Sequence, residues 1–164
     1  MAFDAYVDLK GIPGEATAKG FEKKIEIFSF SWGASAPVTV GPGTEGMTAS
    51  RVSISSFNIM KKTDVASPKL FAACTLGDHI TDMTVSLRKQ TGTGGQDTFI
   101  IYKFEEVMVE SVQWSGSSGG DDTPTESVSF AFGKVSFEYK QQGVDGKLVS
   151  GTPILWDIRK VTNA

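Results

Sequence analysis

Cys74 and His79 are the two side chains here that could act as a nucleophile or a general base near neutral pH. His79 is the only histidine and follows Asp78, and serines are plentiful, so a Ser–His–Asp arrangement is conceivable. No G-x-S-x-G elbow accompanies it, and a lone histidine just past a helix end reads as a solvated side chain. Cys74 falls on the apolar side of a short helical pattern, toward its C-terminal end. A reactive thiolate needs a helix N-terminus or a nearby base, so Cys74 reads as packing. Glu105, Glu106 and Glu110 are candidate acid/base carboxylates. Strand alternation sets Glu105 and Glu106 on opposite faces, which reads as a solvated face or a salt bridge to a neighbouring chain. Asp121 and Asp122 lack EF-hand spacing and suit a turn. Gly92, Gly94 and Gly95 lack the lysine and hydroxyl of a phosphate loop. Trp32, Trp114 and Trp156 could stack a sugar or base, or anchor a core or an interface. These residues name no catalytic group, cofactor or metal site.

The elements that would position such groups are strands. The stretch Ser117–Tyr139 opens with a Gly, Asp and Pro turn and then runs as one long strand. Val128, Phe130 and Phe132 occupy one parity; after Gly133, Val135, Phe137 and Tyr139 occupy the other. A change of parity needs an extra residue or a bend, and a glycine suits it. The same switch falls between Ile25, Ile27 and Phe28, Phe30, Trp32, and again at Ser55–Ser56 within a strand over 47–61. Three such strands predict a mainly β fold, either a barrel or a two-sheet body with corners. Phe3 to Leu9 alternates as a first strand. Met83, Val85 and Leu87 predict a clean strand, and residues 98–114 a long one with apolar residues on both faces at Phe99–Tyr102. A last strand begins at Ile154. One helix is predicted after Ser67 as N-cap and Pro68, ending at Gly77, with Leu70, Phe71 and Cys74 on one face; it would cap a barrel end. Residues 34–46 read as a long loop with little charge, and Val38 and Val40 within it favour a partner over free solvent.

The chain has 164 residues, 40% hydrophobic and 21% charged, and predicts one domain over 1–164. A net charge of −3 gives no general attraction to nucleic acid or an anionic membrane. A single cysteine excludes an internal disulfide. The N-terminal MAFDAYVDLK has no basic and apolar leader pattern, and no apolar run has the length of a membrane helix. The expectation is a cytosolic protein that leaves the cell, if it does, by a route that reads the folded chain.

Together these segments resemble the haemolysin-coregulated protein family, whose members are tube subunits of the bacterial type VI secretion system. The resemblance rests on GIPGEAT at 11–17, IEIFSFSWG at 25–33, ASPKLFAACTLGDHI at 66–80, MTVSLRK at 83–89, and GGDDTPTESVSFAFGKVSFEY at 119–139. It covers essentially the whole chain. It implies a small β-barrel of two antiparallel sheets with one short α-helix at its side, six copies in a ring with an open channel, and rings stacked into a tube inside a contractile sheath with a spike at the tip. The channel would carry effector proteins, with no cofactor or turnover. The chain would be the bare tube form, without a C-terminal toxin domain. On this resemblance Pro37, Val38, Val40, Pro42 and Thr44 form the ring-stacking loop, though the loop is neither very glycine-rich nor charged. Ser31 and Ser118 are channel-facing candidates, with a surface loop as the rival reading, and Phe99, Ile101 and Tyr102 are ring-interface candidates. Two further readings are a stand-alone monomeric barrel with a ligand pocket among the three tryptophans, and an enzyme resting on His79.

Overall fold

The computed structural model describes residues 2–43, 46–92, 94–120 and 122–163. Among them it is mainly β with one short helix. Strands β1 (Asp4–Leu9), β2 (Ile25–Ile27) and β3 (Ser29–Ser31) are followed by β4 (Ala34–Ser35), β5 (Val38–Val40), β6 (Met47–Ala49), β7 (Ser53–Ile54) and β8 (Phe57–Lys62). Helix α1 (Ser67–Leu76) precedes β9 (His79–Gln90), β10 (Gln96–Ser115), β11 (Thr125–Ala131), β12 (Lys134–Gln142), β13 (Leu148–Ser150) and β14 (Ile154–Asp157). The main sheet has ten strands in the order β2-β1-β9-β10-β11-β8-β3, with β12 joined to β10 and carrying β13 and β14. Its pairings are antiparallel. Both halves of that order feed one core: Val7, Ile25 and Val85 meet Phe57, Ile59, Val128 and Phe130. No closed barrel is formed by hydrogen bonds among the described residues. The outer strands β2 and β3 are instead successive pieces of one chain stretch, joined at Phe28, whose N–H donates to Met60 O at 2.8 Å.

The switch at Gly133 is present, and β10 shares it. Strands β11 and β12 pair with β10 in the same register on either side of Gly133, up to a register shift between Val109 and Ser111, and the Gly133 N–H donates to Glu105 O at 3.0 Å. Buried Phe130 gives way to buried Val135 on one strand, and buried Phe104 to buried Val107 on the other. The device in β10 is Glu106, held at φ 57°, where a non-glycine residue is uncommon. A side chain at Gly133 would meet the Glu106 carboxylate. This corrects one expectation: the left-handed residue breaks the alternation, so Glu105 and Glu106 are both exposed rather than on opposite faces.

The second switch falls at Phe28, which turns outward while Ile25 and Ile27 are buried and Phe30 and Trp32 half-buried. Phe28 was expected inside. The third falls at Ser55–Ser56, between β7 and β8. The long loop expected over 34–46 is replaced by a hairpin arm, and the single strand expected over 47–61 does start at Met47 but is broken into β6, β7 and β8. There β4 pairs with β7 and β5 with β6.

Helix α1 packs against β10, with Leu70 and Ala73 in the core. Phe71 lies 100° round the helix from Leu70 and is exposed, against expectation. Gly77 closes the helix at φ 67°. Ser67 is not the N-cap. Ala66 holds that position without a side-chain bond, and Ser67 turns inward.

Candidate interaction surfaces

Strand register builds the first surface. On β8 the side chains of Asn58, Met60 and Lys62 point away from the buried Phe57, Ile59 and Lys61. Ser31 lies beside Asn58, Asn58 beside Ser129, and Ser129 beside Ser111. The next row is Ser29, Met60, Ser127 and Gln113, and a third holds Lys62, Thr125 and Ser115. The outer face of β3-β8-β11-β10 therefore carries mostly short polar side chains, with Met60, Gln113 and Lys62 among them, tied in part by a hydrogen bond from Ser129 to Asn58. Ser31 is exposed on this face, and Ser118 is exposed in the turn that joins β10 to β11.

The arm is the second surface. Val38 pairs with Ala49, Thr39 with Thr48, and Val40 with Met47, so the apolar four share one face and the threonines the other. Val38, Val40 and Met47 are 56%, 70% and 76% exposed. Pro37 and Pro42 are exposed too; Thr44 lies outside the described residues.

A third surface lies where the arm leaves the body. Trp32, Ala34, Val52 and Ile54 on one side face Val135, Phe137, Ile154, Leu155 and Trp156 across an apolar groove of about 340 Å³. Trp32 is packed edge-on to Tyr102 and Phe104, at 5.3 and 5.8 Å between ring centres. Trp114 is elsewhere, 5.9 Å from Phe71 of α1. A pocket shared by all three tryptophans is not formed.

Other candidates take ordinary places. His79 is exposed at the start of β9, in a strand rather than a loop. Cys74 is half-buried, its Sγ 3.6 Å from Glu110 O. The glutamates find partners within the chain: Glu105 with Lys134 at 3.5 Å, Glu106 with Arg159, and Glu110 with the Ser56 hydroxyl at 2.7 Å. Asp122 is exposed, and Thr93 and Asp121 lie outside the described residues. Phe99 and Ile101 are half-buried. Tyr102, expected at a ring interface, is instead buried in the chain's own core beside Phe30, Trp32 and Phe137, where burial raises its phenol pKa.

One cluster had not been anticipated. Lys61 and Glu126 are fully buried and paired side chain to side chain. The Lys61 ammonium also donates to Asp64 at 2.7 Å and to the Ser67 hydroxyl at 3.2 Å, and that hydroxyl donates to Glu126 at 2.9 Å. The signal was in the alternation: Lys61 is in phase with Phe57 and Ile59, and Glu126 with Val128 and Phe130. The cluster ties the first turn of α1 to β8 and β11, a structural task.

What fold and surfaces define is a class: a mainly β protein whose distinctive features are exposed sheet, an exposed ribbon and an apolar groove. The family model described as "Type VI secretion system effector, Hcp" matches residues 6–139. Protein hcp1 of Pseudomonas aeruginosa is 32% identical over 166 residues, covering 100% of both chains. A solved structure described as that of a type six secretion system protein superposes with a TM-score of 0.91 at 34% identity, over 98% of this chain and 99% of the other. Hcp1 from Salmonella typhimurium gives 0.75 at 26% identity over the full length of both. The chain belongs to the Hcp family of type VI secretion proteins.

Proposed function

We propose that this chain is the structural subunit of a type VI secretion tube and folds as one domain. Six copies form a ring around an open channel; rings stack into a tube inside a contractile sheath, behind a spike. The channel binds and exports effector proteins, and the subunit itself catalyses nothing. It resides in the cytoplasm until assembly and is then carried out of the cell with the tube.

The observation that carries this reading is the arm. Between Ala34 and Ser50 the only charged residue in the sequence is Glu45, and β5 and β6 are exposed throughout. An exposed ribbon with an unbroken apolar face is a contact surface awaiting a partner. We assign ring stacking to Pro37, Val38, Val40 and Pro42. The short-chain polar face, with Ser31 on it and Ser118 at its end, supports a wet channel wall. Phe99 and Ile101, half-buried in the isolated chain, support an interface within the ring.

The test is solution mass by light scattering behind a sizing column, at several protein concentrations. A mass near six protomers supports the ring. A monomer at every concentration removes the preassembled ring and promotes the stand-alone ligand-binding protein, for which the groove beside Trp32 and Trp156 would be the pocket.

A further inference from the structure

The polar face of β3-β8-β11-β10 changes its chemistry at one place, on β8. Across its three rows Met60 is the apolar side chain and Lys62 the charged one. Met60 is 46% exposed, and its register partners Ser29 and Ser127 are too short to cover it. Phe28, whose N–H donates to Met60 O, is 52% exposed beside it. Lys62 follows two residues later, about 7 Å along the strand and on the same side.

A single exposed methionine needs no partner. A ring changes that, because rotational symmetry repeats every side chain at one level of the channel. Met60 and Phe28 then form an apolar belt in a wall otherwise lined by hydroxyls and amides, with Lys62 as a cationic belt beside it. Methionine suits a surface that must accept more than one shape, being unbranched, freely rotating and polarisable. Lys62 is exposed and forms no ion pair among the described residues. It shares a cleft of about 430 Å³ with Phe28, Glu15, Glu26 and Asp64. Asp64 is held by the Lys61 ammonium at 2.7 Å and Glu15 by the Val65 N–H at 3.0 Å, which leaves Glu26 as the carboxylate not engaged in this way. On the wall itself, Lys62 is the cation open to an incoming carboxylate.

We propose that Met60, flanked by Phe28 and Lys62, selects the cargo of this channel. It takes effector proteins that present an exposed apolar side chain with a carboxylate about one strand step away. The apolar side chain packs on Met60 and Phe28, and the carboxylate meets the Lys62 ammonium. The inference rests on the channel role given to this face above and adds which of its side chains choose among effectors. The surrounding serines supply hydrogen bonds to any polar surface and discriminate little.

The test uses assembled rings of the full chain with methionine methyl groups labelled with carbon-13, the Met60 signal being assigned by its loss in Met60→Ser. The probes are three short Gly/Ser peptides: one carrying leucines and aspartates, one aspartates alone, and one leucines and lysines. The leucine–aspartate peptide is expected to shift the Met60 methyl signal. By fluorescence anisotropy it is expected to bind about tenfold more tightly than either of the others. Met60→Ser and Lys62→Gln are each expected to weaken that binding by about tenfold, while the rings keep a mass near six protomers. Both positions are exposed, so the ring mass and the melting temperature serve as controls for folding. Intact rings whose Met60 signal does not move, or whose binding survives either variant unchanged, would overturn this inference and leave the channel role standing. Equal binding of the three peptides would overturn it as well. A chain that stays monomeric at every concentration would remove the channel reading itself, and the belt with it.

Discussion

Lys61 on β8 and Glu126 on β11 are direct register partners, and their side chains meet in the protein interior with essentially no exposure. A buried pair of this kind is costly to split, because the survivor keeps its charge without a partner. It need not stabilise the fold relative to an apolar pair. Here it also fixes α1, through Ser67 and Asp64.

Lys61→Met alone is expected to cost about 3–5 kcal/mol, since Glu126 would then be buried without its cation. Lys61→Met with Glu126→Leu is expected to recover most of that loss. Urea unfolding of the three chains measures both. A double variant as weak as the single one would show that packing, not charge, set the cost.

Gly14 is pressed against backbone. A Cβ there would stand 2.5 Å from Lys24 O and 2.7 Å from Ile25 Cα, and the Gly14 N–H donates to Lys23 O at 2.7 Å. Gly14→Ala is expected to destabilise by about 1–3 kcal/mol, as overpacking does where backbone must shift. Gly133→Ala is expected to cost less, because its neighbour is the movable Glu106 carboxylate. Thermal melts of the two variants, compared side by side, test the order.

Asp157 is held below its usual carboxylate value of 3.8, first by the Lys160 N–H and then by the Arg159 N–H, against the opposing effect of burial. A depressed folded pKa contributes stability that is present above the unfolded value and lost as pH falls through the folded one. Acid should therefore loosen the 157–162 turn below about pH 4. In Asp157→Asn the melting temperature should fall less steeply as the pH drops below about 4. Parallel slopes for both chains would place the acid sensitivity elsewhere.

On the tube reading, replacing Ser118 or Ser31 with a bulky side chain should lower the amount of effector retained while rings keep their mass. Co-purification of effector with each variant measures this. Unchanged retention with one variant removes that residue from the channel wall.

Alternation along each strand was legible without a structure. It marked the inward faces of β1, β9 and β11, the breaks at Phe28, Ser55–Ser56 and Gly133, and the helix between Pro68 and Gly77, because side-chain parity and backbone punctuation are local properties. Lys61 and Glu126 stand in phase with the inward residues of their strands, yet a buried charge pair was not expected there. What pairs with what was decided only in the folded chain. Lys61 meets Glu126 through a β8–β11 register that spans 65 positions of sequence. The stretch around β4 to β7 became an arm because β5 found β6 and β4 found β7. Glu105 and Glu106 share the solvent side because Glu106 adopts a left-handed backbone opposite Gly133, a choice that lone strand periodicity does not contain. Phe71 and Tyr102 exchanged their expected places, one outside and one inside, for the same reason. A residue's periodicity fixes which side of its element it takes, while long-range packing decides which side becomes the core.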